Sequence, residues 1–315
     1  MNPAFSVIFF TVVSGCGYGL LFLLGVVFVL DPLPIARNEA LLALAIGAAF
    51  VAAGLLSSTL HLGRPQRAWR AFSQWRSSWL SREGVASVAS FVPILALAWC
   101  LWRGADANDL RVLGMLLAVL SVITVICTAG IYTSLKTIPA WHNPFVLPGY
   151  LLFALLGGAC WSWLIGGWAG MAQTQPALIV AFAIACVLLK RAYWRHIDSE
   201  APTSTPESAT GLGRFGRVRS VEAPHTEENY LTQEMGFVLA RKHAARLRTI
   251  CIVLIGAVPI LAAVALFVLP GWSAIFACIA ALAATAGLFV ERWLFFAQAK
   301  HVVMLYYGGT RPQNP

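Results

Sequence analysis

Charge is scarce in these 315 residues: Asp, Glu, Lys and Arg make up 11%, against 59% hydrophobic residues and a mean hydropathy of +0.75. So little charge excludes a water-soluble globular domain and leaves a polytopic membrane protein. Seven cysteines stand in apolar runs and never form a CxxC pair, so neither a disulfide framework nor a zinc or iron–sulfur site is encoded. They read as small packing residues. The opening MNPAFSVIFF has no basic n-region and no twin arginine, and its apolar run is expected to be retained as a first span. Six histidines, His61, His142, His196, His225, His243 and His301, all avoid the deep part of any apolar segment. A membrane haem is held between histidines of facing spans, so no haem is expected. The centres of the first seven apolar segments also lack Asp, Glu, Lys and Arg, and no matched pair of Gly/Pro-broken helices interrupts them. That speaks against a proton pump or an ion-coupled transporter.

What is present is apolar length. About 20 apolar residues cross the hydrocarbon, and eight segments meet that rule: 6–30, 39–60, 84–102, 110–135, 148–170, 176–194, 249–269 and 273–296. The expectation is an all-α integral membrane protein of eight transmembrane helices, arranged as two four-helix bundles. The net charge of +9 speaks for topology rather than for nucleic acid, because Lys and Arg accumulate in cytoplasmic loops. Sorted by side, Arg37, Arg103 and Arg111 stand on one face and the other 19 of the 22 on the opposite one, which predicts N-in and C-in. The organisation follows: residues 1–194 hold six spans with a loop at 61–83, residues 195–248 form a cytoplasmic loop, and residues 249–315 hold the last two spans and a tail.

The 195–248 loop opens with the low-complexity SEAPTSTPESATGLGRFGRVRS, expected to be flexible. It closes with TEENYLTQEMGFVLARKHAARLR, where Leu231, Met235, Val238 and Leu239 recur at helical spacing ahead of Arg241, Lys242, His243, Arg246 and Arg248. Two readings fit: an amphipathic helix lying on the membrane face or on a partner, or a solvated basic helix that anchors the seventh span. In the last span, Glu291 and Arg292 break the rule against internal charge. A buried ion pair or snorkelling side chains account for them.

The second segment runs into His61, and SSTLHLGRPQRAWRAFSQWRSSWLSREG then brings Arg64, Arg67, Arg70, Arg76 and Arg82 with Trp69, Trp75 and Trp79. The tryptophans suit the headgroup level, and the arginines suit anionic lipid or a soluble partner, with Arg70, Arg76, Arg241 and Lys242 as docking candidates. His61 at the end of one span and Glu83 at the start of the next share one membrane depth. A quinol that releases two electrons also releases two protons, which an imidazole and a partly desolvated carboxylate can accept. Gly63 and Pro65 bend the chain there, leaving backbone free to line a cavity. Plainer roles exist: His61 as a helix C-cap, and Glu83 as a helix-terminal acid behind a Ser81 cap.

The strings STLHLGRPQRAW, SWLSREG, IYTSLKTIPAWHNP, PGYLLFALLGGA and ERWLFFAQAKH, in that order along most of the chain, resemble the membrane anchor subunit of dimethyl sulfoxide reductase. That family lies within the haem-free quinol-interacting anchors that include the polysulfide-reductase type. The resemblance implies a quinol site at His61 and Glu83, with Arg64 and Arg67 orienting the headgroup or the partner. The substrate it implies is menaquinone or ubiquinone. Implied partners are a four-cluster ferredoxin-like iron–sulfur subunit and a molybdopterin catalytic subunit, in a bacterial inner membrane. This chain itself would hold no haem, iron–sulfur cluster or other metal. The long 195–248 loop departs from the compact reductase anchors and is more similar to cytoplasm-facing relatives, sulfite dehydrogenases among them. The alternatives are a purely structural anchor without its own quinone site and a small-molecule transporter.

Overall fold

A computed structural model describes residues 4–31, 36–59, 65–104, 106–166, 174–199, 204–219, 221–222 and 239–307. All regular structure among them is helical, and eight helices are long and apolar enough to cross a membrane. They are α1 (Phe5–Leu30), α2 (Arg37–Thr59), α3 (Trp79–Arg103), α4 (Ala107–Thr133), α5 (Val146–Ile165), α6 (Thr174–Ser199), α7 and α8 (Ser273–Ala297). The seventh, α7, comprises Leu239–Ile252, a π-helical turn Val253–Ala257 and Val258–Val268. The π turn ends two residues before Pro259, whose ring has no N–H to give the ladder and would press on the carbonyl of Ile255 in a regular helix.

Helix α3 begins five residues earlier than expected. Its N-cap is Ser78, whose hydroxyl accepts from the backbone N–H of Ser81 at 3.4 Å, so Ser81 is a buried residue of the first turn and not the cap. The apolar face expected at Leu231, Met235 and Val238 lies outside the described residues. Its basic end does not form a separate element: Arg246 and Arg248 stand on the first turns of α7, which continues into the seventh span.

Helix α1 packs on α2 and α4, and α3 packs on α4 and α2, closing one four-helix bundle. Helices α5 and α7 likewise pack on α6 and α8, closing a second. The bundles join where α5 lies against α1 and α4, and α8 against α1. With lipid outside, apolar area drives little association between helices, and small residues that let backbones meet do that work. A Cβ on Gly19 would fall 1.8 Å from the carbonyl oxygen of Ala154, and one on Gly158 would fall 2.2 Å from the carbonyl carbon of Gly19. Backbone thus rests on backbone where α1 meets α5. Eight crossings bring both described chain ends to one face, shared by the 3₁₀ helix Pro65–Gln74 and the 134–145 connection. This is the basic face.

Candidate functional site

Helix α1 carries Thr11, Ser14 and Tyr18; α3 carries Glu83, Ser87 and Ser90; α4 carries Ser121, Thr124 and Thr128. Each trio follows helical spacing, and all nine side chains are buried inside the first bundle. Most of the hydroxyls donate to their own helix, as Ser121 does to the carbonyl of Leu117 at 2.8 Å and Ser90 to that of Ser87 at 2.7 Å. Thr128 does more: its hydroxyl lies against Glu83 Oε1 as a hydrogen-bond donor and also 3.1 Å from the carbonyl of Thr124. Glu83 is 3% exposed, and no cation pairs with it among the described residues. Because α3 starts at Trp79, Glu83 sits in the second turn, turned toward α4, and is not the helix-terminal acid that satisfies a dipole.

The basic loop covers this end of α3. Phe72 of the 3₁₀ helix rests against Gly84, where a Cβ would meet its ring edge at 3.0 Å. Arg82 donates to the carbonyls of Trp75 and Arg76 at 3.0 and 2.8 Å and lies over the ring of Trp79 at 4.6 Å. Trp79 in turn fills the space above Gly130 of α4, so it is a packing residue and not a free headgroup anchor. Trp69 and Trp75 are exposed, with Arg70 and Arg76 over their rings at 5.6 and 5.4 Å. Arg67 is exposed on the same short helix. His61 and Arg64 lie outside the described residues. So do the side chains of Arg241 and Lys242, whose backbone begins α7.

The second bundle holds charge of another kind. Lys190 Nζ of α6 lies 2.5 Å from Glu291 Oε1 of α8, and the other carboxylate oxygen is bonded by Nε of Arg292. Lys190 is 2%, Glu291 0% and Arg292 6% exposed, so the ion pair expected of Glu291 and Arg292 is a triad. Sequence reasoning missed Lys190, which reads as one more basic residue at the end of a span. Aromatic rings close around the cations: Tyr193 at 3.9 Å from Lys190 Nζ, and Tyr150 and Phe295 at 4.3 and 4.5 Å from the guanidinium of Arg292. Tyr132 stacks on Tyr150 at 5.8 Å, and Trp141 donates to the carbonyl of Phe295 at 3.0 Å, so α4, the 134–145 connection, α5 and α8 form one aromatic wall. Beyond the C-terminal end of α8, His301 accepts from the backbone N–H of Val303 at 3.0 Å, and partial burial pulls the pKa of its imidazole below the usual range.

Between the two clusters, at the seam of the bundles, is a cavity of about 30 Å³. Thr11, Ser14 and Tyr18 of α1, Thr128 of α4, Tyr150 of α5 and Arg292 of α8 supply its polar lining. One wall therefore touches the partner of Glu83 and another the triad. Of the residues that sequence reasoning missed, Thr128, Tyr18 and Tyr150 belong here. The readable signal was the hydroxyl spacing on α1, α3 and α4, which a scan for charged residues passes over.

The family model described as DMSO reductase anchor subunit (DmsC) matches residues 1–307. The chain belongs to the DMSO reductase anchor subunit family. Among relatives of this anchor family, a sulfite dehydrogenase subunit of Allochromatium vinosum is 31% identical over 98% of this chain and 99% of its own length. A subunit of the anaerobic dimethyl sulfoxide reductase of Escherichia coli is 29% identical over 43% of this chain and 48% of its own. The YnfH chain of an anaerobic dimethyl sulfoxide reductase of the same organism is 30% identical over 48% and 53%. With its eight apolar helices, this family member is a multi-pass membrane anchor subunit of complexes of this oxidoreductase type.

Proposed function

We propose that this anchor exchanges electrons between the quinone pool and an iron–sulfur subunit, at a quinone site on the basic face built from His61 and Glu83. The observation that carries it is a buried carboxylate near the membrane edge, hydrogen-bonded by the Thr128 hydroxyl and paired with no cation among the described residues. A carboxylate in a structural ion pair is committed to its partner. Glu83 keeps its second oxygen for a proton. Oxidation of a quinol releases two protons and two electrons: the protons pass to Glu83 and to the imidazole of His61, the electrons to one-electron carriers of the partner. Reduction of a quinone runs the same steps in reverse. Arg64 and Arg67 serve the headgroup or the partner, and Arg70, Arg76, Arg241 and Lys242 the docked subunits.

The partners are a four-cluster ferredoxin-like iron–sulfur subunit and a molybdopterin catalytic subunit, in a bacterial inner membrane with the basic face cytoplasmic. The full-length likeness to a sulfite dehydrogenase subunit and the long loop between α6 and α7 favour that branch over the reductases. Menaquinone or ubiquinone is the exchanged substrate. The experiment is substitution of His61 by Leu and of Glu83 by Gln in the assembled complex, with a fluorescent quinol analogue as probe. Analogue binding and quinone-linked turnover are expected to fall together by tenfold or more. If both survive in both variants, the chain is a structural tether.

A further inference from the structure

Glu83 is shut off from the basic face directly above it. Phe72 rests on Gly84, the next residue of α3, and Trp79, one turn earlier on that helix, fills the space over Gly130 of α4. A carboxylate that takes a proton has to release it before the next turnover, and the hydrogen-bond partner it has among the described residues is Thr128, which also lines the seam cavity. That cavity, of about 30 Å³, has room for about two waters and nothing larger. Its walls are held in place: the Tyr18 hydroxyl interacts with Ser87, Ser90 and Thr124, and the Tyr150 hydroxyl with Arg292 and Tyr132. On α1, Thr11 gives its hydroxyl proton to the carbonyls of Val7 and Ile8 at 3.0 and 3.1 Å, and Ser14 gives its own to that of Phe10 at 2.6 Å. Both hydroxyl oxygens are left as acceptors for water. Thr11 and Ser14 share one face of α1, and Thr11 stands about 9 Å of helix from Phe5, where α1 begins on the basic face.

We propose that the seam cavity is a water site through which Glu83 exchanges its proton with the basic face, with Thr128 as the relay between them. The inference rests on the quinone reading above, and it concerns the proton alone: no electron passes this way. After Glu83 has taken a proton, its carboxyl turns about the terminal torsion, which is soft, until the protonated oxygen faces Thr128. The carboxyl gives that proton to the hydroxyl oxygen of Thr128 as the hydroxyl's own proton passes to cavity water. Glu83 is then a carboxylate again, Thr128 is unchanged, and the water carries one proton more. From there the proton follows the oxygens of Ser14 and Thr11 toward the basic face. The fixed guanidinium of Arg292 on the far wall repels it, which keeps it from staying in the cavity or entering the second bundle. Proton uptake for reduction of a quinone runs the same path inward. The plainer role of these hydroxyls is glue between helices, which involves no water.

Gly15 offers a clean test, because it lines the cavity and a Cβ built on it meets no atom within 4 Å. Gly15→Val fills the space the waters need and leaves Glu83 and Thr128 in contact, and valine is a better helix former than glycine. In membranes holding the assembled complex, quinol-analogue affinity is expected to stay within about twofold of the parent while quinone-linked turnover falls about 3- to 10-fold. The solvent deuterium isotope effect on turnover is expected to rise, since proton release becomes the slow step. Thr128→Val, which keeps the shape and removes the hydroxyl, is expected to lower turnover tenfold or more, and Thr128→Ser to restore it. If Gly15→Val does not assemble, Gly15→Ala and the Thr128 pair decide. Affinity and turnover falling in parallel in the Gly15 variants, with an unchanged isotope effect, would mean that filling the cavity only distorts the site, and would overturn the proposal. So would parent-like turnover and isotope effect in the Gly15 and Thr128 variants while Glu83→Gln is impaired: the hydroxyls would then be glue and the proton would leave elsewhere. Parent-like turnover in Glu83→Gln would bring down the quinone reading itself.

Discussion

The two bundles handle polarity in opposite ways. The first hides a single carboxylate among hydroxyls, with Thr128 as its hydrogen-bond partner; the second hides three charges joined through Glu291, which bonds both Lys190 and Arg292, with aromatic rings around the cations. A carboxylate without a counter-ion can change its protonation state at modest cost to the fold, because no partner is orphaned when it does. A triad resists such change, since removing one charge leaves the others buried and uncompensated. Chemistry that moves protons suits the first arrangement, and fixed electrostatics suits the second.

Breaking the triad has the largest expected effect. Glu291→Leu strands two cations and is expected to cost about 3–5 kcal/mol, read as a drop in the thermal unfolding temperature of the complex in detergent. Lys190→Met leaves Glu291 with Arg292 and should cost clearly less; equal losses would mean that the charges do not act as a set. Next is the seam between the bundles. Gly158→Leu drives a side chain into the backbone of α1 and is expected to cost about 1–3 kcal/mol or more, with the bundles loosening before either unfolds, as limited proteolysis of the α4–α5 connection would reveal. Glu83→Gln sharpens the contrast: its amide can still accept from Thr128, so stability should change by less than about 1 kcal/mol while quinone-linked turnover collapses. Comparable losses of stability in Glu83→Gln and Glu291→Leu would erase the difference between the bundles. Arg248→Ala comes last. Its bidentate pair with Asp198, at 2.5 and 2.9 Å, ties α7 to α6 at an exposed edge and should be worth at most about 1 kcal/mol in the same melt.

Much of this was legible along the chain. The eight spans, the basic face and the singling out of Glu83 follow from the sequence, and α3 shows the limit of that reading. Serine at 78 and at 81 can each cap a helix, and only the backbone geometry of Ser78 shows that the helix starts at Trp79, turning Glu83 from a terminal acid into a buried one facing α4. Lys190 was illegible for a related reason. Near the end of a span a lysine can snorkel to water, and what prevents it here is Glu291, 101 positions away.

Span number and the crowding of positive charge on one face were therefore determined by the sequence itself, because hydropathy and the preference of charge for water add up residue by residue. Which polar groups meet was decided by tertiary structure alone. Thr128 with Glu83, Lys190 with Glu291, and the gathering of Tyr18, Tyr150 and Arg292 around one cavity all depend on helix rotation and on glycine contacts such as Gly19 with Gly158. Those pairings join residues far apart in the chain, and in lipid, where apolar faces are nearly interchangeable, only close packing and hydrogen bonding select them.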